Sequence, residues 1–482
     1  MEIALLIKGE DRPALGGGTF DRKNPVTNEV VTTAPAAKKV DVDAAVAAAD
    51  AAFADWSKTG PNARRTLLNK AADMLESMAD EFVRTSIDEI GCTAAWAGFN
   101  VMFGAKILRE AASMTTQIRG EVIPSDKPGC LAMAIKRPVG VLVGMAPWNA
   151  AVILGVRAVA MPIACGNTVV LKASEKCPRV HMLIGEAFRR AGFPDGVLNV
   201  VTHSPQDAPE VVEALITHPK TRRINFTGST RVGRIVAEIA ARELKPCLLE
   251  LGGKAPLVVL DDADIDAAVN AAIFGAFMNQ GQICMSTERI IVDERVADDF
   301  VAKFTERASQ LPVGDPNGNV VIGSVVDYET IERVDKLVDA SVALGARVTT
   351  GGKSNGSTIM PATVVDHVNE TMPLFSDESF GPVVCVVRAR DTEHAVEIAN
   401  ASSYGLSSAV FGSDINRAIS VAERIEAGIC HINGPTVSDE AQMPFGGMRD
   451  SGYGRFGGTA GIDAFTETRW ITVEDPHQHY PF

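Results

Sequence analysis

Basic residues are scarce relative to acidic ones in this 482-residue sequence: 46 Lys and Arg against 60 Asp and Glu, a formal net charge of −14. That balance argues against a role in binding nucleic acid or an anionic membrane, which needs a basic surface. Metal-type cysteine pairs are missing as well. The 8 cysteines are scattered, with no C-x-x-C among them. They fit free thiols in a reducing compartment better than a disulfide scaffold, and no metal site is expected. No apolar run is long enough to span a bilayer. The most apolar stretch, Gly140 to Gly166, is interrupted by Asn149, Arg157 and Pro162 and reads as buried strand, loop and helix. The start, Met1-Glu2-Ile3-Ala4-Leu5-Leu6-Ile7-Lys8, carries acid where a secretory leader carries base, and its apolar run is short. A cytoplasmic protein is expected. Low-complexity linkers and fixed-period repeats are also missing.

What is present is a chain long enough for two or three domains with substantial cores. Residues 1–40 are polar and proline-containing, suiting an arm or short strands. Val40 to Ile118 is alanine-rich and helical in pattern. From Pro138 the texture changes. Val139–Ala146, Thr168–Leu171, Val197–Val201 and Arg223–Thr227 read as buried strands, and Arg179–Ala191 as a helix between them. Such alternation implies a parallel sheet covered on both faces. Val232, Ile235, Val236, Ile239 and Ala240 share one helical face, and a second such helix follows Asp264. Strand and helix signals alternate again from Glu288 to about Ile432, suggesting a second α/β domain. Asn433 to Gly461 reads as loop, and Ala464 to Val473 as a strand.

Five places could carry chemistry, and each has a plainer alternative. Gly228-Ser229-Thr230-Arg231-Val232-Gly233 stands where a strand gives way to a helix. Its glycines could let backbone N–H groups approach a phosphate at the helix N-terminus, or could simply form a turn. Lys172 and Glu175 follow directly on a strand. Ligands of open parallel sheets bind at that end, and a carboxylate there accepts ribose hydroxyls and repels a 2′-phosphate, favouring NAD over NADP. The alternative is a solvated loop pair. Cys284 lies on a polar, glycine-containing connector, where a thiol is accessible enough to react. Most cysteines are inert core residues, and no histidine is near Cys284 in sequence. Glu250 sits between leucines and a Gly-Gly turn. It could be a general base raised in pKa by apolar neighbours, or a capping or ion-paired carboxylate, for instance with Lys254. Asn149 follows Pro147-Trp148 and could donate to an oxyanion or occupy a turn.

Taken together, Pro147-Trp148-Asn149, Lys172 with Glu175, Phe226-Thr227-Gly228-Ser229-Thr230, Glu250-Leu251-Gly252-Gly253-Lys254, Gly281-Gln282-Ile283-Cys284 and Glu378-Ser379-Phe380-Gly381-Pro382 resemble the NAD(P)-dependent aldehyde dehydrogenase superfamily. The likeness runs from about residue 20 to the C-terminus. It implies Cys284 as nucleophile, Asn149 as oxyanion donor beside the Cys284 N–H, and Glu250 as the base for the deacylating water. It further implies Lys172 and Glu175 at the adenine ribose, Ser229 at the pyrophosphate, and Glu378 and Phe380 at the nicotinamide ribose and ring. Trp148, Gly228 and Gly233 are expected around the cofactor. NAD is the expected cofactor, with NADP less favoured. The implied fold is α/β in three modules: a Rossmann-type NAD domain (1–120 and 138–250), a catalytic domain (251–440) and a small β-arm for homodimer or homotetramer assembly (121–137 and 462–482).

Within the superfamily the sequence is most like bacterial salicylaldehyde, vanillin and benzaldehyde dehydrogenases. Trp96-Ala97-Gly98-Phe99-Asn100, Arg222-Arg223-Ile224-Asn225-Phe226, Met285-Ser286-Thr287-Glu288-Arg289 and Tyr480-Pro481-Phe482 carry that likeness. It implies a small aromatic aldehyde as substrate. An aliphatic or semialdehyde dehydrogenase is the alternative, and a non-catalytic NAD-binding relative is a different class. The sequence departs from many relatives at Arg157, where they place an aromatic. A cation in an apolar tunnel needs a partner: either an anionic or phenolic ring substituent or a protein carboxylate. Trp96 and Phe99 are candidates for packing the substrate ring or the core. The loop Thr436-Val437-Ser438-Asp439-Glu440 is expected at the tunnel mouth, with Val437 facing the ring.

Overall fold

A computed structural model describes residues 1–354 and 356–482. Eight strands form the first sheet, in the order Gly452–Tyr453, Cys247–Glu250, Thr221–Thr227, Val141–Met145, Thr168–Lys172, Leu198–Val201, Leu5–Ile7 and Glu10–Arg12. The middle five are parallel. Their apolar runs, such as Val141-Leu142-Val143, are buried because helices cover both faces. Among the parallel strands the chain runs first through Val141–Met145, moves outward through Thr168–Lys172 and Leu198–Val201, then returns to the other side with Thr221–Thr227 and Cys247–Glu250. That reversal opens a crevice at the carboxyl ends of the strands, where open α/β sheets bind ligands. Trp148, Asn149, Gly228 and Glu250 all sit at or just beyond those ends.

Seven strands form the second sheet: Arg347–Thr350, Thr363–Asp366, Val383–Ala389, Thr287–Asp293, Ala255–Val259, Ser407–Phe411 and Ile429–Ile432. All pairs are parallel except the edge strand Arg347–Thr350. A third sheet of three antiparallel strands, Thr466–Val473, Leu131–Pro138 and Glu121–Ile123, projects with exposed apolar side chains, including Val122 and Trp470.

The expected helical stretch Val40 to Ile118 folds as four helices: Lys39–Trp56, Pro61–Ser77, Ala79–Ile90 and Ala94–Met114. The apolar stretch from Gly140 becomes the strand Val141–Met145 and the fully buried helix Ala151–Ala164. Among the described residues no helix is long and apolar enough to cross a membrane.

The first residues form short strands, one of the two readings open for them, and Leu5–Ile7 adds an antiparallel, buried strand to the first sheet. Two details differ from expectation. The segment 433–461 is not loop throughout. Gly452–Tyr453 pairs with Leu249 and Glu250, so the chain returns to the first sheet after completing the second. The terminal strand begins at Thr466, because Ala464 and Phe465 finish the helix Gly458–Phe465, whose last side chain is buried.

Candidate active site

Cys284 stands on a connector that the backbone holds under strain. After the helix Ile265–Phe277, Asn279, Gln280 and Gly281 occupy the left-handed region in succession, at φ 49°, 57° and 70°. For the two non-glycine residues this costs about 1–3 kcal/mol each, so surrounding contacts must enforce it. Buried amides do so. Asn279 Nδ2 donates to the Asn149 carbonyl (2.9 Å), Gln280 Nε2 donates to the Ser324 carbonyl (2.9 Å), and Gln282 Oε1 accepts from Val326 N–H (3.0 Å). At Gly281 a Cβ would lie 2.1 Å from the Gly381 carbonyl oxygen, so only glycine fits. The loop therefore presents Cys284 half-buried, at the boundary shared by two cavities.

The two cavities differ in chemistry. The first, about 380 Å³, is lined mainly by apolar side chains, among them Trp96, Phe99, Phe103, Ile153 and Val437. Trp96 stacks on Phe99 at 5.6 Å, and Phe99 on Phe103 at 5.7 Å. Trp96 both packs the core and faces the cavity, its Nε1 donating to the Asn149 carbonyl at 3.0 Å. The second cavity, about 450 Å³, is lined by Trp148, Gly228, Ser229, Glu250, Glu378 and Phe380, with Arg333 and Tyr404 at its wall. Asn149 and Cys284 border both.

Around the sulfur the polar groups are few and buried. Asn149 Nδ2 donates one hydrogen to the Gln282 carbonyl at 2.9 Å, which pins the amide two residues before Cys284. A primary amide has two N–H donors, so one is left over. Glu250 ends the strand Cys247–Glu250 and is 1 % exposed. Neither of its carboxylate oxygens has a hydrogen-bond partner. Burial pushes its carboxyl up to about 7, although the Cys284 thiol and the Arg157 charge pull the other way. Burial and the Glu250 carboxylate hold the Cys284 thiol well above its usual range, with Arg157 offsetting only part of this.

On the second cavity's side, Glu378 accepts from Gly253 N–H at 2.8 Å, and burial pushes its carboxyl up to about 7. Phe380, itself at φ 44°, meets Trp148 edge-on at 5.8 Å. Ser229 caps the helix Thr230–Arg242, its side chain accepting from Val232 N–H. Lys172 and Glu175 lie beyond this cavity, after the neighbouring strand. Lys172 Nζ is 2.9 Å from His203 Nε2. Burial opposes ionisation of Glu175, but Lys172, a backbone N–H and His203 together hold its carboxyl below the usual range.

One expectation changes and two open alternatives close. Gly233 does not line the cavity: a Cβ there would lie 2.4 Å from Leu251 Cδ2, so this glycine lets the helix pack closely on the sheet. Glu250 does not pair with Lys254. Lys254 Nζ donates to Glu288 Oε2 at 2.7 Å, and Glu288 also accepts from Ser379 N–H, Ser379 Oγ–H and Phe380 N–H. Arg157 does line the first cavity, but its charge is not left for a ligand. Nη2 pairs with Asp439, and the guanidinium lies 4.4 Å from the centroid of the Phe445 ring. A buried cation needs this compensation wherever it sits.

Sequence reasoning assigned no role to Glu288 or Arg289, and placed Asp439 only within the loop at the tunnel mouth. Arg289 is fully buried and donates to the carbonyls of Ile398 and Ala399, both at 2.9 Å. Acid and base side by side within a strand-like run, Thr287-Glu288-Arg289, were the available signal. Asp439 left no such signal, because its partner lies 282 residues away.

Against known proteins, residues 14–471 match the aldehyde dehydrogenase family model. The chain is 56% identical over 482 residues to a vanillin dehydrogenase of Pseudomonas fluorescens, covering 100% of both. Its structure superposes with a TM-score of 0.98 on a salicylaldehyde dehydrogenase from Pseudomonas putida G7 complexed with salicylaldehyde. That pair shares 50% identity, with 100% of both chains covered. PnpE in complex with nicotinamide adenine dinucleotide superposes at 0.95, with 36% identity over 100% of this chain and 99% of that one. A strained loop presenting a cysteine between an apolar and a polar cavity, on this fold and with these relatives, belongs to the aldehyde dehydrogenase family.

Proposed function

We propose that the protein oxidises an aromatic aldehyde to its carboxylic acid with a nicotinamide cofactor. The observation that carries this reading is the position of Cys284, at the meeting of a cavity lined by aromatic rings and one lined by carboxylates and a helix N-terminus. The vanillin and salicylaldehyde specificities of the relatives support it.

A dinucleotide suits the second cavity. Trp148 and Phe380 offer apolar surface to a flat ring, and Glu378 is an acceptor for ribose hydroxyls. Gly228 and Ser229 open a helix N-terminus to a pyrophosphate. Lys172 and Glu175 suit the adenosine ribose, where the ionised Glu175 repels a 2′-phosphate, and NAD is therefore favoured over NADP. When bound, the cofactor supplies a hydride acceptor and a cationic ring that favours the thiolate.

The residues then act in order. Cys284 gives its thiol proton to solvent water, and its sulfur bonds to the aldehyde carbon. Charge builds on the carbonyl oxygen, where the second Asn149 N–H and the Cys284 backbone N–H donate. The oxyanion collapses to a thioester as the aldehyde hydrogen departs with its electron pair. Glu250, unpartnered and balanced near neutral pH, takes a proton from water as its oxygen attacks the thioester, and the thiol and acid are released. In the first cavity, Trp96, Phe99 and Val437 pack the ring, and Arg157 with Asp439 forms a polar wall.

The pairing of Arg157 with Asp439 weighs against the semialdehyde reading, which needs a free cation for a carboxylate tail. Cys284, Glu250 and Asn149 together weigh against a non-catalytic relative. The exposed apolar face of the three-stranded sheet suits a homodimer or homotetramer contact. The decisive experiment is a panel of benzaldehyde, salicylaldehyde, vanillin and succinic semialdehyde with each cofactor, following reduced-cofactor absorbance, with Cys284→Ala as control. Oxidation of the semialdehyde alone, or of nothing, overturns the proposal.

A further inference from the structure

The Arg157–Asp439 pair is only half used by the protein. Arg157 Nη2 donates to Asp439 Oδ2, and the guanidinium lies over Phe445 at 4.4 Å and near Phe456 at 6.0 Å. The other carboxylate oxygen, Asp439 Oδ1, is buried and accepts no hydrogen bond. A buried acceptor without a donor is unfavourable, and each such atom in a native structure calls for a cause. Glu288, buried at the opposite side of the site, shows that this chain fills a carboxylate when the carboxylate is purely structural.

Position supplies the cause. Asp439 and Arg157 line the same cavity as Cys284. Cys284 borders the second cavity, whereas Arg157 borders a small further one with Phe445 and Phe456. Both groups thus line the aromatic-lined space, Cys284 where it meets the second cavity and Arg157 where it meets the small further one. Arg157 lies about 9 Å along the helix from Ala151, which follows closely on Asn149. A benzene ring with its aldehyde at Cys284 reaches toward the pair with the substituents remote from the aldehyde.

We propose that Asp439 selects aldehydes carrying a hydroxyl on the far side of the ring, by accepting that hydroxyl's hydrogen. This rests on the aromatic-aldehyde reading and deepens it. Arg157 engages Oδ2 and orients the carboxylate, and a small turn about the soft terminal torsion of the aspartate brings Oδ1 to the ligand. The recognition is of a donor. A methoxy group in the same place has no hydrogen to give, and a phenolate is repelled. Direct recognition by Arg157 gives the reverse order, with phenolate favoured and methoxy accepted. Another group within electrostatic reach of Asp439 is His431, whose Nε2 is also buried without a partner. A water joining the two would fill the acceptor internally and make it indifferent to substrate.

The test compares kcat/KM for para-hydroxybenzaldehyde, para-methoxybenzaldehyde and benzaldehyde. The wild type is expected to prefer hydroxy over methoxy by roughly ten- to a hundred-fold, as for a hydrogen bond to a charged group. Asp439→Ala is expected to bring that ratio to within about threefold of one, and Asp439→Glu to restore part of it. Because the ratio does not depend on the active fraction, partial misfolding does not mimic the effect. The double variant Arg157→Met/Asp439→Leu removes both charges together, leaves no bare guanidinium, and is expected to lose the ratio equally. Absence of the preference in the wild type, its persistence in Asp439→Ala, or an equal fall for all three aldehydes overturns the proposal. Binding of the hydroxy and methoxy aldehydes to Cys284→Ala, read by tryptophan fluorescence, keeps the two readings apart. A binding preference without turnover condemns the reaction and retains Asp439, whereas turnover of benzaldehyde without a preference does the opposite.

Discussion

Glu250 and Glu288 are both core carboxylates, 1 % and 4 % exposed, yet they live differently. Glu288 meets an ammonium, two backbone N–H groups and a hydroxyl, and through them it ties Lys254 to the Ser379–Phe380 turn. Glu250 meets no N–H or O–H donor among the described residues, and the Cys284 thiol acts on it instead. The satisfied carboxylate fixes the backbone that carries Phe380. The unsatisfied one keeps its proton affinity and faces the cavity shared with Cys284. For this pair of carboxylates, full hydrogen bonding goes with a structural place and its lack with a place at the cavity.

Substitutions can break this contrast. The largest effect is expected at Cys284, where Ala abolishes aldehyde-dependent reduction of the cofactor; a rate within about tenfold of wild type denies Cys284 its role as nucleophile. Glu250→Gln comes next, lowering kcat by roughly 10²–10⁴ while a burst of reduced cofactor persists, since the base acts after the thioester forms. Wild-type turnover is expected to rise with pH through about 7, and the variant to lose that limb. A variant profile that keeps the limb removes Glu250 from the step.

Stability should divide the other way. Glu288→Gln breaks a buried ion pair and leaves Lys254 uncompensated, costing about 3–5 kcal/mol, visible as a marked fall in melting temperature. Glu250→Gln has no partner to orphan and is expected to hold or raise it. The sign with pH follows from the shift. The Glu250 carboxyl is raised from 4.5 to about 7 on folding. Its stabilising contribution is full below about 4.5 and is lost as pH rises through about 7, roughly 2–4 kcal/mol in all. Wild type minus Glu250→Gln, followed by denaturant unfolding across that window, should show this decline; a flat difference contradicts it. The smallest effect concerns Glu175, a carboxylate held ionised beside Lys172. Glu175→Ser is expected to shift the NAD-to-NADP ratio of kcat/KM toward NADP by about tenfold, a change of about 1.4 kcal/mol.

Much of this was legible in the sequence because it is local. The parallel strands announce themselves as short apolar runs, and the helices Thr230–Arg242 and Ile265–Phe277 show their apolar faces at 3.6-residue spacing. Asn149, Cys284, Glu250 and Glu378 stand in short motifs, so the site could be assembled from resemblance before any coordinates. Gly233 misled, since glycines that approach a ligand and glycines that approach Leu251 look the same in one dimension. Lys254, near Glu250 in sequence, offered a plainer alternative for that carboxylate, but the fold pairs it with Glu288 instead.

The amino-acid sequence alone determined the reaction class and the succession of strand and helix, and it offered Cys284 as the candidate nucleophile, because each is written in residues a few positions apart. Only the tertiary structure decided which charges meet. Arg157 could have awaited a substrate anion, but folding brings Asp439 across 282 residues to meet it and leaves its other oxygen buried without a donor among the described residues. Charge pairing in a low-dielectric interior depends on distance in space, and distance in space is what a linear sequence does not state.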